Sequence, residues 1–296
     1  MGGKVIFFSH LIFYFIAFTW ALFTGLIFST IGAAGGIFAS FGFITILHVK
    51  DANSVKVMSQ ILTIVTPLIA VPLFIRQKRI SLILGAIIAS GGIVGAILGS
   101  WFSKHYLYEL KSFKYFFGYL TLFISILLIY KIISKKRKQK LNPVSDKDLK
   151  LEDNTIKTLE VNFRNVKIRY FNKEYNFNPI FAFIAGMVVA IISSVFGVGG
   201  GFLLVPFMSG MLNLPMMIVA GTSVFSILIS SLTSVTNYLS MGVHVLPFLL
   251  LISIAGIIAG SSLGPIVSKS KYVKEEYLSY TLIAVLVFIG IFYIFK

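Results

Sequence analysis

Residues 197–223 read GVGGGFLLVPFMSGMLNLPMMIVAGTS, and this stretch decides how the chain folds. A long apolar run ends at Phe196, three adjacent glycines follow at Gly199, Gly200 and Gly201, and a second apolar run starts at once. From Gly201 to Asn213 that second run is 13 residues. As helix it spans roughly 20 Å, short of the ~30 Å of a hydrocarbon layer. The glycines therefore break the backbone inside a membrane. Such a break is tolerated only where protein or a water-filled cavity satisfies the freed polar groups.

The membrane setting follows from composition. Of 296 residues 57% are hydrophobic and 12% charged, with mean hydropathy +0.93. Soluble domains carry about 25% charged residues, so a soluble fold would have no surface for so many Phe, Ile and Leu. Apolar segments emerge at about 5–31, 33–48, 54–75, 80–102, 112–133, 179–196, 200–214, 216–241, 244–268 and 276–295. The first is too long for a signal-peptide core and lacks a clear cleavage site, so it reads as a membrane segment. Residues 134–178 between the fifth and sixth are polar, opening on Lys135-Lys136-Arg137-Lys138. They read as a basic cytoplasmic linker, with a loose alternation over Val161–Tyr170 that fits a short strand or hairpin.

The segments on either side of the linker look alike. Gly32-Ala-Ala-Gly-Gly36 answers Gly197-Val-Gly-Gly-Gly201, the stretch at Arg79 answers that at His244, and Gly95-x-x-x-Gly99 answers Gly260-x-x-x-Gly264, all at an offset of 165 residues. The chain thus reads as a duplication: repeats over residues 1–133 and 179–296, joined by 134–178. Five segments per half put the second half in the membrane upside down. The expected fold is an all-α membrane protein of about ten segments in two inverted repeats, each with a glycine-broken half-length helix. Charge sets the orientation. One side receives 7 Lys and Arg and the other 19 of the 26 in the chain, which places the linker in the cytoplasm and both termini outside. The net charge of +16 then reflects cytoplasmic loops and not a nucleic-acid surface.

No acidic or basic residue reads as lying deep in a span. Without a buried carboxylate relay, the binding groups left are electropositive helix ends, hydroxyls and amides, and these suit anions. The chain has no cysteine, and His10, His48, His105 and His244 sit near segment ends without metal-ligand spacing. No metal, cofactor or catalytic residue is expected. Because the halves are inverted, the breaks at Gly35-Gly36 and Gly197–Gly201 approach from opposite faces and meet near the midplane. The Gly95-x-x-x-Gly99 and Gly260-x-x-x-Gly264 pairs read as close helix packing instead. Thr222, Ser226, Ser230, Thr233 and Asn237 share one helix face, with Ser223 beside it, and Ser59, Gln60, Thr63 and Thr66 lie on the matching first-half helix.

With the glycine loop, Val205-Pro206, Leu214-Pro215 and Ala220-Gly-Thr-Ser223 in place, the chain resembles the sulfite exporter TauE/SafE family of membrane transporters. The resemblance spans about 20–133 and 179–295. In the first half Ala33 and Ala34 interrupt the glycines, Phe41 stands where Pro206 does, and Lys56-Val-Met-Ser59 replaces Gly-Thr-Ser. The resemblance implies a multi-pass protein of a prokaryotic cell membrane. Its cargo would be a small sulfur-containing anion (sulfite, thiosulfate or an organosulfonate), moved outward by alternating access. Carried over by residue, Gly197, Gly199, Gly200 and Gly201 offer backbone N–H groups, Thr222 and Ser223 hydroxyls, and Ser59 and Gln60 polar groups from the other half. Gly35, Gly36 and Asn237 complete the candidate substrate-binding set. Two other classes stand beside this reading: a passive anion channel, and an intramembrane hydrolase using Ser193, Ser194, Ser261 or Ser262 with His244.

Overall fold

The computed structural model describes residues 2–31, 35–78, 80–141, 156–162, 164–170, 173–212, 214–268 and 275–295. The calls on Gly32–Ala34, Arg79, Asn213, residues 142–155, the 269–274 lysines and the side chain of His10 lie outside them. The molecule is mostly helical, 81%, with ten helices among the described residues. These are α1 Gly2–Ile31, α2 Gly35–Phe41, α3 Ala52–Arg76, α4 Leu82–Tyr106, α5 Leu110–Leu141, α6 Pro179–Phe196, α7 Gly201–Gly210, α8 Met216–Ser240, α9 Pro247–Ser268 and α10 Glu275–Phe295. A π-helical turn, Gly42–Ile46, continues α2. Among the described residues, six helices are long and apolar enough to cross a membrane: α1, α3, α4, α5, α6 and α8. Two helices are short, as the glycine breaks require: α7 has 10 residues and α2 has 7.

Local chemistry sets where helices begin. Asp51 caps α3, accepting from the N–H groups of Asn53 and Ser54, which satisfies two of the donors a helix start leaves orphaned. Asn178 does the same for α6 ahead of Pro179, a residue whose fixed φ suits the first helical position. Leu68, Ile126, Phe248 and Phe288 are exposed, the arrangement of helices whose outer faces meet hydrocarbon.

The helices pack through the glycines. A Cβ on Gly91, Gly95 or Gly99 of α4 would collide with the backbone oxygens of Phe183, Met187 and Ile191 on α6. One on Gly256 or Gly260 of α9 would strike those of Phe18 and Leu22 on α1. The packing reading of Gly95, Gly99 and Gly260 therefore holds. Gly91–Phe183 and Gly95–Met187 on one side correspond to Gly256–Phe18 and Gly260–Leu22 on the other, each residue shifted by 165.

Hydrogen bonds define two ends. At one, Ser54 Oγ donates to His244 O at 2.5 Å and Lys104 Nζ reaches Met241 O, tying the start of α3 to the ends of α4 and α8. At the other, the Ser81 N–H bonds Thr222 Oγ1 at 3.1 Å. Here also lies a three-stranded antiparallel sheet, β1 Lys157–Val161, β2 Val166–Tyr170 and β3 Lys173–Phe177, in order β1-β2-β3.

The sheet goes beyond the expected short hairpin. Val166 and Ile168 are fully buried in one cluster with Leu84, Leu204, Met208 and Ile218. The polar stretch thus borrows a core from α4, α7 and α8, and α5 itself runs on to Leu141 before the chain leaves it. Cross-strand ion pairs, Lys167–Glu160 at 3.3 Å and Arg169–Glu174 at 2.6 Å, fix the register. The Arg169 bond holds the Glu174 carboxyl below its ordinary range.

Candidate functional site

The site forms where α6 stops. Gly197 takes φ +71° and its N–H, with that of Val198, closes on Ser193 O, a left-handed helix cap that glycine makes without steric cost. Gly199 is again left-handed at φ +70°, and Gly200 returns to φ −80°, ψ 0°. A left-handed residue followed by a right-handed one is the backbone order from which anion-binding nests are built. Leu203 and Leu204 N–H close on Gly200 O, leaving the N–H groups of Gly201 and Phe202 without an intrahelical acceptor, as a first turn dictates.

The two glycine breaks touch. A Cβ on Gly36 would sit 2.6 Å from Val198 Cα and closer still to its carbonyl. From this junction the half-helices diverge. α7 runs to Met208 and Leu212 in the cluster that holds β2. The α2 segment runs to Thr45, whose hydroxyl lies 2.6 Å from Tyr293 OH. A cavity of about 120 Å³ opens there, lined by Thr45, His48, Lys114 and Tyr293 among others.

Helix α3 closes the junction's side. Gly197 lies so near its backbone that a Cβ would meet Lys56 Cα at 2.7 Å, and one on Gly199 would meet Thr63 at 3.3 Å. Gln60, wholly buried, donates from Nε2 to Ser193 O at 3.1 Å. Ser59 Oγ accepts from Ser40 of α2 at 2.9 Å. Four of the expected residues therefore gather with the α6–α7 loop, Gly36, Gly197, Gly199 and Gln60, while Ser59 ties α3 to α2. Gly200 and Gly201 follow directly in that loop, and Gly35 precedes Gly36.

The other three make their contacts elsewhere. Thr222 Oγ1 accepts from Ser81 N–H at the start of α4, and Ser223 Oγ donates to Ala220 O within its own turn. Asn237 donates to Ser100 Oγ at 2.6 Å and Ile97 O at 3.3 Å. Their hydrogen bonds join α8 to α4 or close on α8 itself.

Lys56 is the residue that the candidate set leaves out: it lies in the second turn of α3, fully buried. Its ammonium donates to Leu107 O at 2.6 Å, Asn53 Oδ1 at 3.2 Å and Ser103 O at 3.4 Å, and lies 4.9 Å from the centre of the Phe113 ring. Two of those acceptors are carbonyls at the end of α4, where the helix dipole is negative. All three are neutral, so the charge is solvated without a carboxylate partner at bonding distance. Its backbone abuts Gly197, while its ammonium reaches away to the end of α4.

Ser261 and Ser262 spend their hydroxyls on Gly25 O and Ile258 O. His244 is exposed, with its carbonyl taken by Ser54.

A family model described as sulfite exporter TauE/SafE matches residues 17–293. The chain is similar to the probable membrane transporter protein YunE of Bacillus subtilis (strain 168), 25% identical over 272 residues that cover 90% of this chain and 92% of that protein. No solved structure matches.

Proposed function

This chain belongs to the sulfite exporter TauE/SafE family of membrane transporters, and from that premise we propose that it carries a small sulfur-containing anion outward by alternating access. Sulfite, thiosulfate and organosulfonates are the candidates. The anion binds where the two glycine breaks meet. It takes N–H groups from the nest at Gly199 and Gly200 and from the first turn of α7, under the field of Lys56.

The observation that carries this reading is the contact of Gly36 with Val198. It brings backbone from the two glycine breaks together, although they come from opposite halves of the sequence. Packing glycines alone would not need the two left-handed residues, Gly197 and Gly199. The repeated contacts at an offset of 165 support two inverted repeats, 1–133 and 179–296, rocking about that junction. The cavity lined by Thr45, His48 and Lys114 is then the outer mouth, and the β-sheet end faces the cytoplasm.

Counterflow tests the proposal. Proteoliposomes preloaded with unlabelled sulfite, thiosulfate or a sulfonate should transiently accumulate the same labelled anion from outside. A carrier shows this overshoot and a passive channel does not. Its absence for every sulfur anion in active, well-inserted protein would refute the assignment.

A further inference from the structure

Among the described residues Gln60 is the side-chain amide that bonds the end of α6, and its geometry limits what it can offer. Its Nε2 donates to Ser193 O, which also receives the N–H groups of Gly197 and Val198. Turning the amide over would set Oε1 against that carbonyl, acceptor to acceptor, so the orientation is fixed. Oε1 is left buried and without a hydrogen-bond partner, in a side chain with no exposed surface. The nearest hydroxyl on the same helix does not serve it, because Thr63 Oγ1 donates to Gln60 O at 2.8 Å. A buried acceptor left unmade is costly, and an anion's oxygen brought against it makes matters worse.

We infer that Gln60 selects for anions that carry a hydrogen-bond donor of their own. Hydrogen sulfite, or a sulfonate bearing a hydroxyl or amine, places its O–H or N–H on Gln60 Oε1 while its oxygens face the nest. Anions built only of acceptors, such as the sulfite dianion, sulfate or unsubstituted sulfonates, meet the lone pairs of Oε1 instead. The inference rests on the anion site proposed above and names the side of that site that reads protonation.

The test compares ethanesulfonate with 2-hydroxyethanesulfonate, equal in charge and different by one hydroxyl, as equilibrium ligands of the purified protein. Wild type should bind the hydroxylated anion roughly tenfold more tightly, the worth of one neutral hydrogen bond. In Gln60→Met, similar in length but without the acceptor, that preference should collapse to within about twofold while ethanesulfonate still binds. Equal binding of the pair by wild type, or an undiminished preference in Gln60→Met, overturns the inference and leaves the anion site standing. Failure of wild type to bind any sulfonate or sulfite overturns both. A second measurement needs no variant. Affinity for total sulfite should fall as pH rises through the ionisation of hydrogen sulfite, whereas affinity for ethanesulfonate, which does not ionise there, supplies the baseline. Lys56, the charged group at the junction, acts on both ligands, so its state cancels in the ratio. A ratio that stays flat with pH counts against the inference.

Discussion

Gly36→Ala adds one methyl where the two breaks meet. The new Cβ would lie 2.6 Å from Val198 Cα, against 3.4–4 Å for ordinary contact, so the two loops must part by about 1 Å. The obstacle is backbone and cannot swing aside as a side chain would. Overpacking of this kind costs about 1–3 kcal/mol. The larger effect falls on binding. A shift of about 1 Å stretches a charge-assisted hydrogen bond worth ~1.5–3 kcal/mol beyond useful length, and losing one weakens the anion about ten- to a hundredfold. Gly210→Ala is the control, since nothing lies within 4 Å of a Cβ there and alanine favours helix. Sulfite affinity of the purified variants, beside counterflow normalised to inserted protein, reads both effects. Wild-type affinity and flux in a folded Gly36→Ala protein would refute the claim that the junction is the site.

Lys56→Met should weaken anion binding about tenfold, the result of losing ~1.4 kcal/mol of attraction to a nearby charge; unchanged affinity would make the lysine purely a tie between α3 and α4. The native chain has no cysteine, so single-cysteine labelling is clean: in whole cells Lys50→Cys should react with an impermeant thiol reagent and Glu160→Cys should not, and the reverse pattern would invert the orientation. Gly95→Ala and Gly260→Ala should lower the melting temperature by similar amounts, since each pushes a methyl into a facing carbonyl. A silent variant at either position would break the correspondence between the halves.

Much of this was legible because the fold is written in length and spacing. An apolar run too short to cross, bounded by glycines, predicts the half-helices, and α7 and α2 are those. The 165-residue offset anticipates the pairing of glycines with their facing carbonyls, because a duplicated helix pair buries the same faces. What the sequence hid was partnership. Lys56 reads as a cation at the start of its segment, and its full burial shows only once Asp51 caps α3 and the helix packs against the end of α4. Its acceptors, Ser103 O and Leu107 O, are backbone groups about 50 residues away and leave no mark on composition. The polar stripe of α8 misleads in the opposite way. Thr222 and Asn237 share the face of a binding helix, yet their bonds go to Ser81 and Ser100. A periodicity cannot tell a ligand-facing hydroxyl from one that ties helices together. The central stretch was read as linker since charge dominates it, whereas Val166 and Ile168 alternate inward and find their core on α7 and α8.

Thermal stabilisation of the purified protein across sulfite, thiosulfate, a hydroxylated sulfonate, sulfate and phosphate tests the central claim most directly. Only a ligand of the native state raises the melting temperature by mass action, through a stabilisation of about 2.7 kcal/mol at a hundredfold excess over Kd. A sulfur anion should raise it in wild type, with the rise cut to about half or less in Gly36→Ala and reduced in Lys56→Met. An equal shift for every anion, or an undiminished shift in Gly36→Ala, would contradict an anion site at the meeting of the two glycine breaks.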